Sequence, residues 1–227
     1  MKKLVLIFMV AAAFSFLPSC DLDDNEYAVS NDWVGFGLIQ KDSGAETFTI
    51  AMDDGEVLYP VINGRSWSEL KNNDRVLTNF TILDNKQNPE HNEYYYVNIN
   101  SLQKILYKGI LDITPEIEDS IGNDPILVKD KWIKNNMLNF ELQYNGGNKT
   151  HYINLVKQPG TINPDNGPVV LELRHNANGD TEGIRLSAIV TFDLSALKIQ
   201  GKNSTQFKVI AKGFNGDDFE FTGEYKY

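Results

Sequence analysis

The sequence predicts an all-β protein in two parts, a small closed barrel followed by a β-sandwich, and three observations carry the prediction. Apolar residues alternate with polar ones in short runs instead of recurring at helical spacing. Pairs and triplets of Gly, Asn, Asp and Pro punctuate those runs. Charge also divides the chain: residues 20–124 hold 20 acidic and 7 basic side chains, and residues 125–227 hold 11 and 12. The 208 residues from Cys20 to Tyr227 are enough for two domains of about 100 residues each.

A leader precedes both parts. Lys2-Lys3, the apolar run from Leu4 to Leu17 and a small residue directly before Cys20 form the substrate pattern of a lipoprotein signal peptidase, too short for a membrane span. Residues 1–19 are expected to be removed and Cys20 acylated on sulfur and amine. Each buried CH₂ then contributes about 0.8 kcal/mol to anchoring in a lipid bilayer. Cys20 is the lone cysteine, which excludes an internal disulfide and a cysteine metal cluster. Residues 20–31 form an acidic tether, and Asp21-Leu22-Asp23-Asp24-Asn25-Glu26 resembles the export tag of surface lipoproteins of the Bacteroidota type. The expected location is the cell envelope, at the outer membrane and its surface.

Residues 32–111 are assigned to the barrel. Asp32–Lys41 and Glu46–Met52 flank the turn Asp42-Ser43-Gly44, Asp53-Asp54-Gly55 supplies a second turn, and Glu56–Tyr59 returns as a third strand. Ser66 and Glu69 have capping-box spacing for one helical turn. Asp74–Leu83 is a strand with Val76, Thr78, Phe80 and Ile82 on one face, the polar stretch Asn85–His91 is a loop, and Tyr94–Ile99 is strand again. Leu102–Leu111 is read as a last strand. The first five of these strands, opening with a meander, suit an OB-like barrel whose closure hides sheet edges.

Residues 112–124, with Pro115, Gly122 and five acids and with Pro125 directly after, read as an acidic linker. Within it, Asp119-Ser120-Ile121 resembles the acceptor for O-glycans on exported Bacteroidota proteins, making Ser120 a candidate modification site. Residues 125–227 contain seven short strands: Pro125–Ile133, Met137–Tyr144, Thr150–Val156, Val169–Arg174, Leu186–Asp193, Phe207–Lys212 and Phe219–Tyr225. Such spacing predicts an immunoglobulin-like β-sandwich, with Asn145-Gly146-Gly147 and Asn215-Gly216 as hairpin turns.

Asn73-Asp74-Arg75-Val76, Asp124-Pro125-Ile126 followed by Trp132, His151–Val156, Arg174–Asp180 and Val190–Ser195 occur in the order found in the NigD-like lipoproteins, which this chain resembles. The resemblance implies an OB domain followed by a sandwich and a role in protection against a bacteriocin. It implies no catalytic residues.

Candidate chemistry is sparse. Asn176, Asn178 and Asp180 alternate like the first ligands of a calcium loop, but Gly179 falls one place early and Ser187 stands where a bidentate Glu is needed. A hairpin turn at Asn178-Gly179 is the preferred reading, so no metal and no cofactor is expected. His91 sits in a loop, and His151 shares a face with Ile153 and Leu155, as a structural histidine does; whether His151 and His175 meet across strands stays open at this point. There is no G-x-S-x-G elbow or phosphate-cradling loop, and Asp53-Asp54 and Asp217-Asp218 read as turns. The expected function is a surface-tethered, non-enzymatic binding module, with an envelope enzyme such as a glycan hydrolase as the alternative. The acidic barrel half argues against nucleic acid as a partner, even though Tyr94, Tyr95 and Tyr96 invite base stacking, and it suits a cationic protein or peptide.

Overall fold

The computed structural model describes residues 32–61, 67–88, 91–162 and 167–227, with the backbone alone for 85–88 and 91–93. Cys20, the acidic tether and Ser66 lie outside the described residues. The barrel comprises β1 (Asp32–Gln40), β2 (Thr49–Met52), β3 (Val57–Pro60), β4 (Arg75–Asn88) and β5 (His91–Lys104), closed in the order β1-β2-β3-β5-β4. Neighbours are antiparallel except β3 and β5. Ile39, Ile50, Leu58, Val76 and Val97 fill its interior and are fully buried. β1 comes very close to β2, because a Cβ on Gly37 would sit 2.5 Å from the Ile50 side chain and 2.8 Å from the Ala51 carbonyl oxygen. Three register shifts bend the β4–β5 hairpin round the barrel. That hairpin is longer than alternation suggested: His91 opens β5 where a loop was expected. Glu69 lies in a turn closed by Leu70 N–H donating to Trp67 C=O, and the expected helical turn does not form among residues 67–70.

The sandwich has a five-stranded sheet, β14-β13-β11-β10-β7, and a four-stranded sheet, β6-β12-β9-β8. Its strands are β6 (Leu106–Gly109), β7 (Leu111–Asp112), β8 (Leu127–Lys134), β9 (Met137–Gly146), β10 (Tyr152–Lys157), β11 (Val169–Asn176), β12 (Ile184–Asp193), β13 (Ser204–Ala211) and β14 (Phe219–Lys226). All seven strands expected after residue 125 are present. Leu138, Phe140, Leu142, Val190 and Phe192 from one sheet meet Leu155, Leu171, Leu173, Phe207 and Val209 from the other. Burying each such side chain is worth about 1.5–3 kcal/mol.

Three expectations are corrected here. The segment Leu102–Leu111 is not a barrel strand. The barrel ends where Ile105 N–H donates to Arg75 C=O, after which β6 pairs in parallel with β12 and β7 with β10, so the chain passes between sheets at Ile110. The stretch 112–124 is no spacer: helix α1 (Pro115–Ile121) carries Pro115 in its first turn with Glu116 and Glu118 near its positive end, and Ile113, Ile117 and Ile121 pack on Val156. Finally, Asn145-Gly146-Gly147 and Asn178-Gly179 are not hairpin turns. β9 and β10 lie in different sheets, as do β11 and β12, so both connections are arches over the end of the sandwich. Asn178 and Gly179 do take positive φ, 54° and 68°.

Candidate functional site

Those two arches are locked to each other. The Asp180 carboxylate of the second accepts the N–H groups of Gly147, Asn148 and Lys149 of the first at 2.8, 3.0 and 2.9 Å. Lys149 Nζ returns a bond to Asn178 C=O at 3.0 Å. The Lys149 and Gly147 amides hold the Asp180 carboxyl down at about 2. Beneath the arches, His151 Nδ1 and His175 Nε2 are 2.8 Å apart, and His175 is 1% exposed. The neighbouring atoms fix the direction of that bond. Pro125 C=O, 3.2 Å from His175 Nδ1, can only accept, so Nδ1 carries the hydrogen. Neutral His175 therefore accepts at Nε2, and His151 donates from Nδ1. His151 Nε2 is left facing Asp180 Oδ2 at 3.5 Å. Burial lowers the His175 pKa, a shift that the Pro125 carbonyl only partly opposes. Tyr144 stacks on His151 with ring centroids 4.7 Å apart.

The calcium-loop candidates are thus placed, and their oxygens serve the chain. Asn176 Oδ1 accepts from Asn178 N–H at 2.7 Å while its amide donates to Ser120 C=O at 2.8 Å. Asp124 is the third partner of this end: its N–H donates to His175 C=O, and its carboxylate accepts from Ala177 N–H, both at 2.7 Å. Three of the sequence pieces that carry the resemblance, Asp124-Pro125-Ile126, His151–Val156 and Arg174–Asp180, therefore converge on one hydrogen-bonded cluster. Among the described residues no group of three or more His, Cys, Asp or Glu is arranged to hold a metal ion. Ser120 is exposed on α1, its hydroxyl donating to Ile117 C=O at 2.7 Å.

A second cluster joins the barrel to the sandwich, and sequence reasoning missed it. Arg75, 1% exposed at the start of β4, makes two parallel bonds to Asp53 in the turn after β2, with Nη2–Oδ2 at 2.5 Å. Arg75 Nη2 also reaches Asn139 Oδ1 at 3.5 Å, which accepts from Thr191 Oγ1 at 2.7 Å in the sandwich. Asn135, at the β8–β9 turn with φ of 55°, donates to Asp53 C=O at 3.1 Å, and Lys134 pairs with Asp54 at 2.5 Å. Phe36 fills the seam between the Arg75 guanidinium, 5.4 Å away, and Trp132, 5.6 Å away. Asp53-Asp54 is a turn, as expected, and it is also the barrel's half of a joint. The signal in the sequence was a lone arginine opening an apolar strand.

An OB barrel whose internal Arg75–Asp53 pair is bonded across a seam to Asn139 and Asn135 of a two-sheet sandwich defines a tandem all-β protein. The chain belongs to the NigD-like family: residues 36–105 match the NigD-like N-terminal OB domain, and residues 109–225 match the NigD-like C-terminal beta sandwich domain. Among solved structures, it is similar to a protein of Parabacteroides distasonis ATCC 8503, provisionally named toxin-related, at 27% identity and a TM-score of 0.69. That likeness covers 86% of this chain and 93% of the other. A NigD-like immunity protein of Bacteroides caccae ATCC 43185 shares 21% identity at a TM-score of 0.63, over 86% and 96% of the two chains. A protein of Bacteroides fragilis NCTC 9343, provisionally named a lipoprotein, shares 13% at 0.61, over 86% and 98%. The latter two likenesses show the fold alone. No curated protein matches the chain.

Proposed function

We propose that this NigD-like protein is a lipid-anchored, non-enzymatic binding module of the cell envelope, held at the outer membrane by acylated Cys20 and acting as immunity-type proteins do, by intercepting a partner. The observation that carries the reading is where its chemically capable groups lie. His151, His175, Asp180, Arg75 and Asp53 are bonded to one another and to backbone, and they hold arches and domains together. The immunity and toxin-related names of its relatives accord with this. The test is functional: chain 21–227 is expected to bind a protein or peptide without converting it, and turnover of an envelope glycan by the same preparation would replace binding with catalysis.

Anchoring has its own test. Cys20→Ala is expected to move the protein from the detergent phase to the aqueous phase on partitioning, a shift of essentially the whole population, since three acyl chains at about 0.8 kcal/mol per CH₂ are lost together. A mutant that stays with the detergent would remove Cys20 as the anchor.

We extend the same reading to Ser120 as an O-glycan acceptor. In the native host, Ser120→Ala is expected to lower the intact mass by a whole glycan, and a mass changed only by the substitution itself would exclude the modification.

A further inference from the structure

Along the exterior of the barrel, β5 presents Tyr94, Tyr96, Asn98 and Asn100, while Tyr95, Val97 and Ile99 turn inward to the core. Tyr59 of β3 lies in register with Tyr96, and the three outer tyrosines form one patch with ring centroids 5.5, 5.8 and 6.3 Å apart. Tyr59 is 40% exposed. Next to them, a β-bulge at Asn100 lets its amide donate to Asn79 Oδ1 at 2.9 Å, Thr81 Oγ1 at 2.9 Å and Asp32 Oδ1 at 3.1 Å, and Asn98 donates to Asn100 at 2.9 Å. The row continues to Gln103, where with Leu77 and Ile105 it lines a cleft of about 240 Å³ against Ser187, Ala188 and Ile189 of the sandwich. From Tyr94 to Gln103 the strip runs about 30 Å at roughly 3.3 Å per residue.

We infer that this strip is a docking track for an extended basic peptide segment, an inference that rests on the binding reading above and names its surface. Three features point to that occupant. The first is shape: an elongated sheet face, running into a cleft, matches an extended chain of about eight to ten residues better than a compact molecule. The second is aromatic. Clustered tyrosine faces attract Lys and Arg side chains through their negative π-surfaces, and tyrosine supplies rigid contact area at little entropic cost. The third is charge. Asp32 borders the track, Asp84 is exposed in register with Tyr96, and Glu141 lines the cleft. On the basic side, Lys86 is opposite Tyr94 in backbone register, and Lys104 follows Gln103 and pairs with Asp74. The barrel segment itself, residues 32–105, carries 11 acids against 6 bases.

The test titrates chain 21–227 with a fluorescent decapeptide of alternating Arg and Gly at about 50 mM salt, beside a Glu-Gly decapeptide, a neutral hexasaccharide and a ten-nucleotide single-stranded DNA. Saturable binding of the Arg-Gly peptide alone is expected, weakening as salt rises. The Tyr94→Ala/Tyr96→Ala variant should lose about tenfold in affinity. Asp84→Lys should weaken it further, whereas Glu220→Gln, on the sandwich, should leave it unchanged. Unfolding curves matching the parent exclude misfolding of the variants. Equal binding by the tyrosine variant, or preference for the hexasaccharide or the DNA, would overturn the track. If a partner is bound as well by the tyrosine variant as by the parent, the track fails and the binding reading stands; glycan turnover strikes the reading itself.

Discussion

Asp53→Ala is expected to destabilise the folded chain by about 3–5 kcal/mol, the range for removing one partner of a buried ion pair. Arg75 has no access to water, and its guanidinium depends on the Asp53 carboxylate, with Asn139 as a weak third contact. Without Asp53, the positive charge stays buried and uncompensated. Asp53→Asn should cost less, because an amide oxygen still accepts one bond. The double variant Asp53→Leu/Arg75→Met should recover most of the loss, since a buried pair replaced by apolar groups of similar size is often neutral. Urea unfolding of the three variants checks this ordering. If Asp53→Ala and the double variant lose equal stability, the pair is not the source of the effect.

His175→Ala is expected to cost about 2–5 kcal/mol and to change how stability depends on pH. The substitution opens a cavity and strands two polar groups, Pro125 C=O and His151 Nδ1–H. The sign of the pH effect follows from burial. His175 has its pKa lowered in the folded state, so folded protein resists a proton that the unfolded chain accepts below about 6.5. This contribution is fully present above that pH and is lost as pH falls through the lowered folded value. Asp180, held at about 2, adds a contribution present above about 3.9 and lost only as pH falls through about 2. The parent should therefore lose stability between pH 7 and pH 5, and His175→Ala should show a flatter dependence across that interval. Urea midpoints at both pH values read it directly, and an unchanged slope would remove His175 as the titrating group.

Much of the architecture was legible because alternation reports which face of a strand is buried. Phe48, Ile50 and Met52 alternate and are buried, as are Leu138, Phe140 and Leu142. Partner choice was not legible, since the period of two is the same whichever strand lies alongside. Leu102–Leu111 therefore read as one barrel strand, although β6 and β7 find their partners in the sandwich. The same blindness turned Asn178-Gly179 into a hairpin, since positive φ is a local property and the sheet to which the chain returns is not, while Asn145 and Gly146 simply continue β9. α1 carried a signal that the prolines and acids obscured, isoleucines four apart at 113, 117 and 121. Of the histidine cluster, the sequence could offer only residues of the right kind on neighbouring segments. The arches that bring His151, His175 and Asp180 together exist only once the sandwich has formed.

The seven residues from Leu106 to Asp112 have a further effect on how such molecules behave when crowded. By giving four residues to one sheet and two to the other, this single segment occupies an edge of each, and both pieces are short. Of the opposite edges, β8 is interrupted by a bulge and carries Lys129, Asp130, Lys131 and Lys134, while β14 carries Glu220, Glu224 and Lys226. Long bare strands recruit neighbours into continuous sheets, whereas short, bulged or charged ones do not. For copies concentrated side by side on one surface, that difference separates a population of independent molecules from an aggregate.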